Sequence, residues 1–273
     1  MTMQSLRLRA SPLVSFTLSS PKHRKSTLPF LFKPYCQSST PSVSKSLKMS
    51  TVASPSTVIE HVVLFKVKDN TEPSKVNAMV TGLNGLISLD QVLHLTAGPL
   101  FRTRSPLSNF THMLHSRYSS KDDLSAYSAH PSHLGVVREN VFPICDDIMA
   151  VDWVAPGFEG PLVPSAGSAV RVSFLKLKEN VAEEGKNELL GVIKGIKESF
   201  GGIDQITCGE NFSPARAKGF SIASLAVFPG LSEMEAADSK EELVNLHKEK
   251  VRDYLEGVIV VDYVVPSTQP ASL

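Results

Sequence analysis

The amino-acid sequence predicts an α+β protein that contains two tandem copies of one βαββαβ unit. The first observation is a repeat with an offset of 110 residues, in which "VVLFKVKDN" (62–70) resembles "VSFLKLKEN" (172–180). At the same offset, "IMAVDWVAP" (148–156) resembles "VIVVDYVVP" (258–266). These segments alternate apolar and polar residues, as half-buried strands do. A Pro-, Gly- and Ser-rich linker, 157–167, separates the copies.

The elements of each copy follow one order. An alternating apolar strand opens each copy, "IEHVVLFKV" in the first and "AVRVSFLKL" in the second, and a segment with apolar residues at helical spacing follows. Two more strands, a second helix and a last strand ending in Asp-aromatic-Val complete the pattern. This order is that of the ferredoxin-like unit, so the predicted domains are 58–156 and 168–266.

Helices on one face of each predicted sheet leave the other face apolar and uncovered. Such a face is most simply buried against another sheet of the same kind. The expected architecture is therefore an α/β sandwich or barrel closed by two units. The two copies of one chain are expected to pair with each other, and pairing with a second chain as a homodimer is the alternative.

The segment 1–50 has a different composition from the rest. It is rich in Ser, Thr, Lys and Arg, and the first acidic residue of the chain is Glu60. Such a composition predicts an organelle transit peptide, here a chloroplast one, with a merely disordered tail as the alternative. The tail 267–273 ends in Ala271-Ser272-Leu273, which is a loose relative of the peroxisomal Ser-Lys-Leu signal. Localisation in the peroxisome, the chloroplast or both is expected.

Composition argues against several classes of function. A formal net charge of +1 gives no reason to expect a nucleic-acid partner, and no apolar run approaches the length of a membrane span. The cysteines, Cys36, Cys145 and Cys208, have neither the spacing of metal ligands nor that of a disulfide framework. We expect no membrane association and a reducing compartment.

The stretch "AYSAHPSHLG" concentrates polar aromatic residues. Tyr127, His130 and His133 are spaced by three residues, and Pro131 lies at the start of a helix. Tyr127 and His133 can converge only if the helix bends, which Pro131 allows. His130 is expected to cap the helix. The alternative to a pocket role is core packing for Tyr127 and a structural hydrogen bond for His133. His94 and His115 are expected to be surface or packing residues.

The first copy contains the motifs "EHVVLFKVKD", "THMLHSRYSS", "YSAHPSHLG" and the terminal "VDW". With these motifs it resembles the stress-responsive dimeric α/β-barrel domain family of plants and bacteria, and the second copy resembles the family through its pattern and "VVDYVVP". The resemblance implies paired sheets that form a dimeric-type α/β barrel. The whole chain looks like the two-domain plant members, which are stress-response proteins associated with peroxisomes.

The family includes a plant polyketide cyclase that closes a linear chain by aldol condensation. The resemblance implies that Tyr127 and His133 match its catalytic pair, and that His61 and His112 match its supporting histidines. A histidine is a suitable base for removing a proton next to a carbonyl, and a tyrosine hydroxyl can stabilise the enolate. Non-enzymatic relatives carry the same His-Pro-x-His run, so the resemblance does not imply catalysis.

The repeat offers an internal comparison for these four positions. At an offset of 110, the positions of His61, His112, Tyr127 and His133 hold Arg171, Ile222, Ala237 and Leu243, in that order. The second copy therefore lacks all four groups together. Their joint absence favours a shared task in the first copy. The second copy is then expected to have a degenerate pocket and to act as the scaffold half.

A divalent cation is a further implication of the resemblance. Some members bind Mg²⁺ through main-chain carbonyls where the first helix ends, which here corresponds to Asn84, Ile87 and Asp90. No cofactor is expected to be required.

Together these observations predict a stress-response protein whose first domain binds a small apolar ligand with carbonyl or phenolic groups. It is expected to be non-catalytic or weakly catalytic. The alternative is a polyketide-cyclase-like enzyme in which His133 is the base and Tyr127 the donor.

Overall fold

The computed structural model describes residues 56–106 and 108–267. The predicted transit segment and the C-terminal Ala271-Ser272-Leu273 lie outside the described residues, so both targeting signals stay predictions. The first copy consists of β1 (Thr57–Val67), α1 (Pro73–Gly85), β2 (His94–Pro99), β3 (Arg102–Thr103), β4 (His112–Tyr118), α2 (Lys121–Ala129), α3 (Pro131–Val136) and β5 (Cys145–Pro156). The second consists of β6 (Ala169–Leu177), α4 (Glu183–Lys194), α5 (Ile196–Phe200), β7 (Gln205–Glu210), β8 (Ile222–Phe228), α6 (Leu231–Asp238), α7 (Glu241–Arg252) and β9 (Leu255–Val264).

The strands form two antiparallel sheets with the orders β2-β4-β1-β5 and β3-β9-β6-β8-β7. Apart from the short β3, each sheet holds the four strands of one copy in the same relative order. The predicted α+β class and the two tandem ferredoxin-like units are thereby confirmed. Within the described ranges, none of the helices is long and apolar enough to span a membrane.

The repeat is also visible in backbone details. Asn70 and Asn180, which are 110 residues apart, both adopt positive φ values, of 63° and 65°, where a strand turns towards a helix. Asparagine tolerates this left-handed conformation better than most residues. The register of the first strand against the last shifts after Lys66 in one copy and after Lys176 in the other. The shared "K-D/E-N" motif therefore encodes a shared strand end.

Side chains of β1 alternate between two environments. Val62 and Leu64 are fully buried in a core that also contains inward-facing residues of the second copy, such as Val172 and Phe174. The odd-numbered residues of β1, such as Ile59, Phe65 and Val67, point to the other side and pack against the helices of their own copy. The uncovered face of each sheet is thus buried against the other sheet, within one chain, as the alternation predicts.

Two seams join the sheets at their edges. At one seam β3 leaves the first copy and pairs with β9, with Arg102 opposite Asp262. At the other seam, Asn211 lies opposite Trp153 of β5, and the Phe212 N–H donates to the Asp152 carbonyl at 3.0 Å. Each copy therefore extends the segment after its second strand onto the other copy's last strand, which closes the paired sheets into a barrel.

Glycine permits the close approach at the second seam. A Cβ atom on Gly209 would lie 2.7 Å from the Val154 carbonyl oxygen and 3.1 Å from Trp153, so any side chain would force the strands apart. At the first seam the equivalent Gly98 lies against the ring of Tyr263. The aromatic residue of each Asp-aromatic-Val motif thus packs on a glycine of the other copy.

A fully buried ion pair lies between the sheets on one side of the barrel. Glu60 and Arg117 are neighbours on β1 and β4, and the Arg117 Nε–H group is 3.1 Å from both Glu60 carboxylate oxygens. The Glu60 carboxylate also accepts bonds from His115 Nε2 at 2.7 Å and from Thr207 of the second copy at 3.0 Å. Arg117 reaches Gln205 of the second copy at 2.5 Å. One network therefore connects the two sheets.

The same guanidinium fixes the linker. Arg117 donates to the carbonyls of Pro161 and Leu162, at 3.2 and 2.7 Å, and stacks on Phe158. Because the linker carbonyls and the Gln205 side chain accept the remaining Arg117 donors, the buried charge is fully surrounded by partners. Such saturation is what a buried ion pair needs to offset its desolvation.

The network has marked electrostatic consequences. Burial alone would raise the pKa of Glu60, but the charge of Arg117 and the bonds from His115 and Arg117 outweigh it and lower that pKa to about 2. Burial lowers the pKa of His115, and it lowers the pKa of neighbouring His94 to about 2. The folded protein therefore holds an ionised carboxylate beside neutral imidazoles.

Removing only the cation should destabilise the fold strongly. We expect Arg117→Val to lower the free energy of unfolding by about 3–5 kcal/mol, because it leaves the Glu60 carboxylate buried without its partner. The double variant Glu60→Val/Arg117→Val should lose less, since the second copy has the directly paired Val170 and Val227 at these positions. Urea unfolding measures both values. A double variant at least as unstable as Arg117→Val would contradict this account.

Acid should destabilise the protein in two stages. His94 and His115 stay neutral in the folded protein at pH values at which the same histidines are protonated in the unfolded chain. The free energy of unfolding should therefore fall as the pH drops below their ordinary pKa of 6.5. Glu60 contributes stability above its ordinary pKa of 4.5 that is lost as the pH falls towards 2. Urea unfolding at a series of pH values checks this. Glu60→Gln should flatten the lower stage, and identical slopes there in both proteins would refute the assignment.

Candidate functional site

A cavity of about 620 Å³ lies between the sheet and the helices of the first copy. Its walls are mostly apolar, with polar groups gathered at one side. The sheet supplies His61, Val63, Phe65, Leu114, Ile148, Ala150 and Asp152, and the helical side supplies Leu83, Tyr127, Ser128, His133, Leu134, Val137, Arg138, Val141 and Phe142. This composition is typical of a small-molecule pocket.

A helix break positions two of the polar residues. Pro131 is the first residue of α3, and His130 has extended dihedrals of φ −65° and ψ 134°. The His130 Nδ1 atom accepts the Ser132 N–H at 3.2 Å, so its expected capping role is confirmed. The bend brings the rings of Tyr127 and His133 to a centroid distance of 4.6 Å. A π-helical turn, Val137–Val141, follows along the same wall.

The hydrogen bond of His133 defines its tautomer. Its Nδ1 atom lies 3.0 Å from the Ser128 carbonyl, which can only accept, so Nδ1 is the protonated nitrogen. Burial and nearby positive charge, including Arg216, lower the pKa of His133, although the bond to Ser128 acts in the opposite direction. At neutral pH, Nε2 therefore has a free lone pair on a residue that lines the cavity.

Tyr127 remains a hydrogen-bond donor under all ordinary conditions. It is almost completely buried, and burial raises its pKa above the ordinary value of 10.0. Its ring contacts Tyr118 at a centroid distance of 5.2 Å and His61 at 6.4 Å. A neutral phenol in this position can donate to an oxygen atom of a bound molecule.

His61 is held by a carboxylate from the neighbouring strand. It lies opposite Asp152, and its Nδ1 atom is 2.5 Å from the Asp152 Oδ1 atom. Burial would raise the pKa of Asp152, but the charge of His61 and the hydrogen bonds from His61 and Ser213 outweigh this and lower it. An ionised Asp152 fixes the orientation of the imidazole.

The second copy completes the cavity. Ser213, Ala215 and Arg216, from the segment that crosses at the seam, lie in its lining. The site therefore depends on the pairing of the copies, and a separated first copy would lack part of its wall.

His112 is the one predicted pocket residue that the structure does not bring to the cavity. It lies at the start of β4, opposite Phe65 and Pro99, and its Nδ1 atom is 2.9 Å from the Thr111 hydroxyl. His115 also departs from expectation, because a surface or simple packing role is wrong for a residue that bonds to buried Glu60.

The residues predicted to hold Mg²⁺ surround the end of α1. The Asn84 side chain bonds to the Val80 and Ala97 carbonyls at 2.9 and 2.8 Å and accepts the Ala97 N–H, so its amide is already used. Among the described residues there is no group of three or more His, Cys, Asp or Glu side chains able to hold a metal. An ion near Ile87 and Asp90 would have main-chain oxygens and water as its ligands, which suits a hard cation. This cation stays a prediction.

Sequence reasoning missed Asp152 and the residues from the second copy. Asp152 had a usable signal, since an acidic residue stands in an apolar strand at the same place in both copies, as Asp152 and Asp262. Ser213 and Arg216 had none, because their approach depends on a seam between segments distant in sequence.

His133 should titrate below its ordinary pKa of 6.5, because burial disfavours its charged form. Long-range ¹H–¹⁵N NMR of the imidazoles should also show the Nδ1-protonated tautomer at neutral pH. His133→Gln identifies the resonance by removing it. A midpoint above 6.5, or an Nε2-protonated ring, would contradict the assigned geometry.

Comparison with known proteins places this geometry in a family. The Stress responsive A/B Barrel Domain matches residues 59–155 and again 169–265. The chain is 54% identical over 268 residues to a stress-response A/B barrel domain-containing protein of Arabidopsis thaliana, covering 97% of this chain and 98% of that protein. It is 51% identical over 215 residues to a second protein of the same description and species, covering 78% of this chain and 99% of that protein.

Solved structures agree on the fold. An anthrone oxidase-like protein is 10% identical, with a TM-score of 0.52 over 80% of this chain and 97% of its own. At this identity the likeness concerns the fold alone. Two matched domains and relatives that span nearly the whole length lead to one conclusion: the chain belongs to the stress-responsive A/B barrel domain family, with two such domains in tandem.

Proposed function

We propose that the first domain binds a small, largely apolar molecule that carries a carbonyl or phenolic oxygen. The observation that carries this proposal is the convergence of Tyr127, His133 and His61 on one side of a cavity whose other walls are mostly apolar. An apolar body would fill the cavity, and a few polar contacts would orient it.

The protonation states narrow the chemistry of the ligand. The Tyr127 hydroxyl is a donor suited to a carbonyl oxygen, and the free lone pair on His133 Nε2 is an acceptor suited to a phenol. Arg138 and Arg216 also line the cavity, and His61 is oriented by Asp152. The site therefore offers both a donor and an acceptor for a neutral oxygen function.

The proposed role in the cell is binding in a stress response, without turnover or with weak turnover. Membership of a stress-responsive family supports the first half of this statement. The second half is part of the proposal itself, because the packed rings, with centroids 4.6 to 6.4 Å apart, are sufficient for recognition of a ligand without a chemical step.

Aldol cyclisation is the second candidate, and the tautomer of His133 favours it. A neutral imidazole with a free Nε2 can remove the proton next to a carbonyl. The adjacent Tyr127 hydroxyl can donate to the enolate oxygen that develops. Both groups lie on the same helical wall, so one linear polyketide chain could contact both.

Binding of naphthalene derivatives tests the main proposal. The full chain should bind naphthol and acetylnaphthalene more tightly than unsubstituted naphthalene, as measured by calorimetry. Tyr127→Phe should weaken the binding of acetylnaphthalene, and His133→Leu should weaken the binding of naphthol, each by about tenfold, because each removes one buried hydrogen bond.

His112→Leu is the matched control, since it alters a histidine of the first copy outside the cavity lining. Equal losses in His112→Leu and His133→Leu, or no preference for the oxygenated probes, would refute the proposed site. A linear polyketide-CoA incubated with the same proteins separates the two candidates. A cyclised product that His133→Leu abolishes would establish the enzyme, whereas an unchanged substrate would leave binding as the function.

A further inference from the structure

The second copy keeps a cavity although the four polar groups of the first are replaced. This cavity, of about 400 Å³, lies between the second sheet and α5–α7. About half of the first cavity's lining positions recur in it at an offset of 110, so that Ala150 corresponds to Val260 and Tyr127 to Ala237. Most of its wall is apolar, formed by Ile196, Phe200, Ile203, Ile206, Phe228 and Val244.

Charged residues close one end of the cavity. Arg171 replaces His61 of the first copy and pairs with Asp262 and Asp238, each at 2.7 Å. Arg104 and Arg102 arrive from the first copy across the seam and contact the same two carboxylates. The cavity of each copy is thus completed by a segment of the other.

The guanidinium groups of this cluster outnumber the carboxylates that they share. Three guanidinium groups surround two carboxylates, and every carboxylate oxygen already accepts at least one of their N–H groups. A third acid, the exposed Glu235, lies 4.0 Å from Arg102. Each guanidinium has five N–H donors, so the hydrogen-bonding capacity left in the cluster is that of donors. Such an end suits a negatively charged acceptor.

The sheet residues next to this charged end of the cavity also differ in polarity from their counterparts in the first copy. Ser173 and Ser224 lie opposite each other on β6 and β8, where the first copy has Val63 and Leu114. Both serines line the cavity, and within the described residues neither hydroxyl has a hydrogen-bond partner. The second cavity is therefore polar where the first is apolar. The second cavity lacks the histidines and the tyrosine of the first, and it has an arginine and two serines of its own.

We propose that the second domain binds an amphipathic monoanion, with its carboxylate towards Arg104, Arg171 and the two serines. The apolar body lies among the side chains of the helical wall. Lys248 of α7, which also lines the cavity, adds positive charge on the opposite wall. This ligand is charged, whereas the molecule proposed for the first domain is neutral. The two proposals are therefore independent, and each can be tested without the other.

Decanoate and decanol, which share one chain and differ in charge, are the probes. Calorimetry on the full chain should show decanoate binding at least about tenfold more tightly than decanol. Val260→Phe should abolish this binding by filling the second cavity, whereas the matched Ala150→Phe fills the first cavity and should leave it unchanged. Circular dichroism and thermal unfolding establish that both variants are folded.

Ser173→Val/Ser224→Leu gives the second cavity the apolar residues of the first without adding bulk at the helical wall. It should reduce the preference for decanoate over decanol by about tenfold. Loss of decanoate binding in Ala150→Phe but not in Val260→Phe would overturn the proposal. So would the absence of binding, or equal affinity for the two probes in the unmodified chain.

Discussion

Each sheet has one face that its own helices do not cover, and the burial of these two faces against each other is the constraint on which the structure depends. Burial of apolar surface is the dominant favourable contribution to folding, and here much of it is available only when the copies meet. Trp153 and Tyr263 are fully or almost fully buried, and each packs on a glycine of the other copy. The two domains are therefore halves of one folding unit.

The edges of the paired sheets explain why the cavities are where they are. A segment that crosses a seam must lie over the end of the other copy's last strand, next to the carboxylate of that strand. Asp152 and Asp262 stand at these two places, and each meets residues from across the seam. The segments that close the barrel thus also supply part of the wall of each cavity.

Much of the fold could be predicted from sequence because strand periodicity and the repeat are local signals. The helix break at Pro131 and the cap at His130 could also be predicted from local sequence, because a proline restricts the backbone of the residues next to it. The two-residue strand at Arg102–Thr103 has no such signal, because its partner is 160 residues away. His112 lies on the same sheet face as the cavity-lining Phe65 and Leu114 but at the first residue of β4, and periodicity does not show how far along a strand the cavity extends.

Covalent linkage of two equivalent domains removes a restriction that symmetric dimers obey. In a homodimer every substitution appears on both sides of the axis, so a charge buried on one side is buried on the other. Here the pair Glu60 and Arg117 on one side corresponds to Val170 and Val227 on the other. A single buried charge can anchor the linker while the opposite side remains apolar, and one ancestral pocket can diverge into two with different ligands.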